Sequence, residues 1–161
     1  MSLPIGQENV ECVEKIIEEY QLSAQVIKHP QTAITSLQSH LDLYGGTPQQ
    51  VLKCLCMVSK GRPLVVMASG EIIIDTKKLE KISGFKEIRM ARGDEMQTLF
   101  GRVPGGVDCL SVAESMPLFA DQKLFEKEWV VGSSGSPYAG LKIDPKEILK
   151  VQKPVIADLA K

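Results

Sequence analysis

The sequence predicts an α+β domain built on a mixed, curled sheet, and three observations carry that expectation. Amphipathic stretches at helical spacing alternate irregularly with short apolar runs of strand length. Neither a βαβ period nor a glycine-rich phosphate fingerprint is present. The chain has 161 residues, 43% hydrophobic and 24% charged, which suits a single domain with its own core over residues 1–161.

Taken in order, residues 1–6 read as a loose start. Val10, Val13, Ile16, Ile17 and Tyr20 then recur at helical spacing from Asn9 onward, predicting an amphipathic helix. Residues 25–28 form a short strand that His29-Pro30 terminates, because proline cannot donate to a ladder. A second helix is expected over 32–44, with Ile34, Leu37, Leu41 and Tyr44 on one face and Gly45-Gly46 at its end. Thr47-Pro48-Gln49-Gln50 has a cap, a proline at the first position and a glutamine three after the cap, so it starts one helical turn.

Residues 51–59 and 63–68 are strand-like runs joined by Lys60-Gly61-Arg62, and 71–74 looks like a further hairpin partner. Asp75 caps a short helix closed by Gly84. A strand follows at 86–90, then a helix that Asp94 and Gln97 would cap and Gly101 would end. Strands are expected at 116–120, 129–132, 140–143 and 154–159, with a small-residue loop at 133–137 and a helix starting at Asp144-Pro145.

The formal net charge of −1 gives no global basic field, so DNA is not an expected partner and any RNA must be gripped locally. Apolar runs such as 64–68 are too short to cross a bilayer, and the start lacks a secretory pattern, so a cytoplasmic protein is expected. Cys12, Cys54, Cys56 and Cys109 lack the spacing of a disulfide framework, and His29 and His40 are the only histidines available to complete a zinc site. We read the cysteines as reduced, mostly buried thiols, and expect neither metal nor cofactor.

Residues 100–110, Phe-Gly-Arg-Val-Pro-Gly-Gly-Val-Asp-Cys-Leu, concentrate the unusual composition. Gly101, Gly105 and Gly106 allow positive φ and close backbone approach, so their N–H groups could converge on a developing negative charge; a plain surface turn is the alternative. Lys53 interrupts an otherwise apolar strand and either reaches solvent along its stem or projects into a cleft, where burial would disfavour its charge. Cys109 has no histidine near it in sequence, and Ser133, Ser134 and Ser136 lack a nucleophile-elbow pattern, so no side-chain nucleophile is indicated. Asp121 either caps a turn or holds a ligand amine or hydroxyl.

Together, Lys53 in its apolar strand, the loop 101–107, Asp121 after Pro117-Leu118-Phe119-Ala120, and Gly135-Ser136-Pro137 ahead of Leu141-Lys142-Ile143-Asp144-Pro145 resemble the YbaK and prolyl-tRNA synthetase-associated editing-domain family. His29-Pro30 and Thr32 also fit, and the resemblance covers nearly the whole chain. It implies a barrel-like β-sheet flanked by helices and an enzyme that, acting in trans, hydrolyses mischarged aminoacyl-tRNA, such as Ala- or Cys-tRNA for proline. The implied partners are the aminoacyl-tRNA acceptor end and an aminoacyl-tRNA synthetase.

By the same resemblance, Lys53 would hold the terminal phosphate or the substrate carbonyl, and Gly101, Gly105 and Gly106 would stabilise the oxyanion. Substrate-binding positions implied are His29, Thr32, Cys54, Val107, Cys109, Asp121, Ser134, Gly135 and Ser136, with Arg102, Lys123 and Lys142 as phosphate contacts. Water assisted by the substrate's own ribose hydroxyl or side chain would attack. Cys109 and Ser111 stand where the family's loop commonly has proline and glycine, and Cys54 where serine or threonine often follows the lysine. Those departures leave a non-catalytic tRNA- or synthetase-binding module as the alternative.

Overall fold

The strongest local pattern in the chain is the run from residue 51 to 69, and it becomes the central hairpin. The computed structural model describes residues 5–113 and 115–161; the first four residues of the expected loose start lie outside them. Helix α1 (Gln7–Tyr20) buries Val10 and Val13, and strand β1 (Ala24–Lys28) follows. Helix α2 (Leu37–Tyr44) leads through a tight turn at Pro48–Gln50 into β2 (Leu52–Ser59) and β3 (Arg62–Ser69). Ser59 pairs with Arg62 across a two-residue turn in which Lys60 (φ 48°) and Gly61 (φ 82°) are both left-handed, the backbone that matches strand twist.

Helix α3 (Thr76–Ser83) is capped by Asp75, whose carboxylate accepts from the amides of Lys77 and Lys78, and stopped by Gly84. Then come β4 (Ile88–Met90), the short α4 (Gly93–Glu95) with a wide helical turn over Met96–Phe100, β5 (Leu118–Asp121), β6 (Val130–Ser136), β7 (Ala139–Ile143), α5 (Pro145–Ile148) and β8 (Val155–Ala157). The larger sheet has the order β4-β2-β3-β5-β8, parallel at β3/β5 and β5/β8 and antiparallel elsewhere. The smaller sheet, β1-β7-β6, is antiparallel. This is the predicted α+β class with a mixed sheet.

The sheet is not closed into a barrel. Asp108 of the glycine loop pairs separately with Ser133 of β6, while the two sheets touch through the isolated pairing Val51↔Val131 and keep separate edges. Gly132 permits this contact, because a Cβ there would stand 2.8 Å from the carbonyl oxygen of Leu52.

Alternation along β2 divides the core. Leu52, Cys56 and Val58 join Val13, Val65, Met67 and Leu141 in one cluster, whereas Met57 joins Leu64, Val66, Leu79, Phe119 and Leu159 in another. Residues Leu64 to Ala68 are all fully buried, as expected of a strand covered on both faces, and the leucine, valine and methionine side chains among them each contribute about 1.5–3 kcal/mol relative to exposure.

Four expectations need correction. Helix α2 begins at Leu37, with Ser36 capping the Ser39 amide at 3.1 Å, because the Ile34 amide is drawn out to the Pro137 carbonyl at 2.8 Å. Residues 71–74 are not a strand; only Ile74 forms a bridge, to Ala160. The cap before the 101 loop is Arg92 with Glu95, not Asp94 with Gln97: Glu95 accepts from the Arg92 amide at 2.9 Å and forks onto Arg89 at 2.7 and 2.8 Å. Finally, residues 133–136 belong to β6, which bulges between Ser133 and Ser136 instead of ending in a loop.

Candidate active site

Where the two sheets meet, a cavity of about 730 Å³ opens. Its lining comes from the lead-in to α2 (Ala33 to Ser36, with His40), the start of β2 (Lys53, Cys54, Cys56), Met90 and Met96, the glycine loop (Pro104, Gly105, Val107), and Gly132-Ser133. Among the described lining residues there is no carboxylate, and Lys53 is the only lysine or arginine. An anion or a polarised carbonyl is therefore the charge this cavity can complement.

Lys53 stands near the start of β2, opposite Ala68 and half-buried. Its Nζ donates to the Ile72 carbonyl just past the end of β3. Burial lowers its pKa from the ordinary lysine value, partly opposed by the Glu71 carboxylate, which is itself paired to Lys127 at 3.1 Å. The sequence left open whether this lysine reaches solvent or a cleft; it lines the cleft.

The glycine loop presents one of its three glycines there. The Gly106 amide donates to Val103 O at 2.9 Å, closing a turn with Pro104 second and Gly105, at φ 81°, third. That is a type II turn, and it leaves the Gly105 N–H outside its hydrogen bond. No acceptor among the described residues takes that proton. A Cβ at Gly105 would meet Ile34 O at 2.6 Å, so glycine is required by contact as well as by φ. Gly101 (φ 64°) ends the wide turn, donates to Gln97 O at 3.1 Å and does not line the cavity. Gly105 is thus the one glycine of the three that lines the cavity, and its amide, unlike those of Gly101 and Gly106, has no partner among the described residues.

The rest of the loop is an internal pin. Asp108 is fully buried, and its carboxylate accepts from Leu110 N (3.1 Å), Ser111 N (2.7 Å), Ser111 Oγ (2.9 Å) and Arg102 Nη2 (3.3 Å). Arg102, expected at phosphate, is turned inward onto this carboxylate with a side chain only 13% exposed. Ser111, one of the departures from the family pattern, is part of the pin.

Several expected substrate contacts lie elsewhere. His29 bonds Thr32 O at 2.7 Å through Nδ1 and the Tyr44 hydroxyl through Nε2; neither His29 nor Thr32 lines the cavity. Asp121 is fully buried and accepts from Lys123 N at 3.1 Å and Leu159 N at 2.9 Å, tying β5 to the C-terminal segment. Cys109 is buried behind the loop, and burial, then the Asp108 charge, pushes its thiol pKa up. Ser134 is buried within β6, and Gly135 is a packing glycine, its Cβ position 2.5 Å from Asn9 Cβ on α1. Ser136 accepts from Tyr138 N at 3.0 Å and borders a smaller chamber instead. Lys123 and Lys142 are not in the lining, and Lys142 lies over Trp129 at 4.6 Å.

Cys54 and Val107 do line the cavity, together with Cys56, which burial pushes up to about 12. His40 entered the sequence reading only as one of two histidines available to a zinc site, not as a substrate contact. It is 7% exposed, lines the cavity and has its pKa lowered by burial and by the nearby His29. Its position between Leu37 and Leu41 on the helix was the one signal available.

Fold and cleft together define a small α+β domain in which a large, mostly apolar cavity is lined by a lysine and by Gly105 of the glycine loop. Residues 31–151 match the model of the aminoacyl-tRNA editing domain, and the chain belongs to that family. It is 28% identical over 114 residues to the proline--tRNA ligase of Aquifex aeolicus, covering 70% of this chain and 20% of the ligase. It is 23% identical over 125 residues to EbsC of Enterococcus faecalis, named as a candidate Cys-tRNA(Pro)/Cys-tRNA(Cys) deacylase, covering 77% of this chain and 76% of that protein. A solved structure named as a candidate trans-editing enzyme for prolyl tRNA synthetase superposes with a TM-score of 0.81 at 24% identity, over 99% of both chains.

Proposed function

We propose that this protein is a trans-acting editing hydrolase that cleaves the ester of a mischarged aminoacyl-tRNA, with alanine or cysteine on proline tRNA as the first substrates to try. The observation that carries the reading is that Lys53 and Gly105, whose amide has no partner among the described residues, line one cavity whose described lining holds no carboxylate. The acylated terminal adenosine enters it. Gly105 N–H and the Lys53 ammonium face the ester carbonyl, where negative charge grows as a water attacks, and donors placed there stabilise the transition state more than the ground state. The vicinal ribose hydroxyl orients the water, so no side-chain nucleophile is needed. Editing meets a physical need, since a synthetase separates neighbouring small side chains by only about 1–3 kcal/mol per methylene.

A panel of mischarged tRNAs tests this. At least one ester is expected to be hydrolysed faster than in buffer, and Lys53→Ala is expected to lose about 100-fold or more of that rate. A panel in which every ester survives at its buffer rate overturns the reading. One observation favours the second reading, a tRNA- or synthetase-binding module without turnover: two of the three loop glycine amides are engaged inside the chain. Salt-sensitive tRNA binding with no deacylation would select it.

A further inference from the structure

Beside the main cavity is a chamber of about 20 Å³, enough for one water molecule. The two spaces share Ile34, His40, Gly105, Gly132 and Ser133, and the chamber adds Tyr44, Ser136 and Ala139. It therefore adjoins the Gly105 amide to which the preceding reading assigns the ester carbonyl.

Its polar groups have defined roles left over. Thr32 O can only accept, so His29 Nδ1 carries the proton, and His29 Nε2 accepts from the Tyr44 hydroxyl. Tyr44 is thereby fixed, and it supports His40 edge-on at 4.7 Å. Ser136 Oγ accepts from Tyr138 N, leaving its own proton to donate. The His40 ring has no hydrogen-bond partner among the described residues. A water in the chamber can accept from Ser136 and donate to His40.

We propose that His40 is the general base of the hydrolysis, drawing its water from this chamber, an assignment that rests on the deacylase reading. The water oxygen bonds to the ester carbonyl carbon while its proton passes to the imidazole, and the carbonyl electron pair moves onto the oxygen facing Gly105 and Lys53. Collapse of that intermediate breaks the bond to the ribose oxygen, which takes the proton back from His40. The charged and titratable groups around the ring are His29 and Tyr44 behind it, with Lys53, Cys54 and Cys56 on the cavity lining. Burial holds the imidazole below its ordinary pKa, so it is neutral and able to accept at pH 7.

The experiment is kcat/KM against pH on a hydrolysed mischarged tRNA, for wild type, His40→Gln and His40→Ala, with a ring-nitrogen NMR titration of His40 in the wild type. The wild type is expected to show an acid limb below pH 6.5 that matches the ring titration. Both variants are expected to fall about 100-fold or more and to lose that limb, with added imidazole restoring part of the His40→Ala rate. Variants within about threefold of wild type, or retaining the limb, overturn the assignment while leaving the deacylase reading in place. Should neither variant fold, a mismatch between the wild-type limb and the ring titration overturns it. A wild type that hydrolyses no ester overturns the deacylase reading and this assignment together.

Discussion

Within residues 101–111 the buried Asp108 carboxylate gathers two backbone amides, a serine hydroxyl and a guanidinium, whereas Gly105 lines the cavity and its amide has no partner among the described residues. The first half of the comparison holds shape. The second leaves a backbone donor at the cavity lining without a partner among the described residues. A backbone amide left unpaired costs stability when buried, so it persists where a rigid neighbour fixes the turn and a ligand can reach it.

The largest effect should come from breaking the pin. Asp108→Ala leaves Arg102 inside the fold without its carboxylate, and about 3–5 kcal/mol of unfolding free energy should disappear in a urea melt. A loss under about 1 kcal/mol would mean the guanidinium simply swings to solvent, and the pin would not be what shapes the loop. Gly105→Ala comes next. Its side chain meets both a left-handed φ and the Ile34 carbonyl, so at least about 2 kcal/mol should be lost and the deacylation rate should fall with it. Gly101→Ala is the control in the same loop, since its φ of 64° is strained but nothing lies within 4 Å of the added methyl. It should cost about 1 kcal/mol and leave turnover near wild type. Equal rate losses at Gly101 and Gly105 would erase the distinction between the two halves.

The parts of this design that the sequence revealed are those fixed locally. The turn at Lys60-Gly61-Arg62, the Asp75 cap, the apolar runs of β2 and β3 and the glycine content of the loop each follow from neighbours in the chain. What it obscured depends on distant contacts. Thr32 looked like a helix start until the Ile34 amide found Pro137, and Ser36 took over as cap. Ser133 to Ser136 looked like a loop because the strand there is made of small residues, which α1 requires at Gly135. The identity of the useful glycine was equally hidden. Gly101, Gly105 and Gly106 look alike in sequence, and only the folded loop separates Gly105, which lines the cavity with an amide unpaired among the described residues, from the two whose amides are engaged inside the chain. Asp121 and Arg102 show the converse, polar residues with ligand chemistry whose partners turn out to be internal.

The central claim is that the acylated adenosine sits between Lys53 and the Gly105 turn. The most direct measurement is an NMR titration of the protein with an alanyl-adenosine analogue whose ester is replaced by an amide. The Gly105 amide and the Lys53 side-chain resonances should move together and saturate at one concentration, while the Gly101 and Asp121 amides stay still. Saturable binding that shifts Gly101 or Asp121 and leaves Gly105 and Lys53 unmoved would contradict the account.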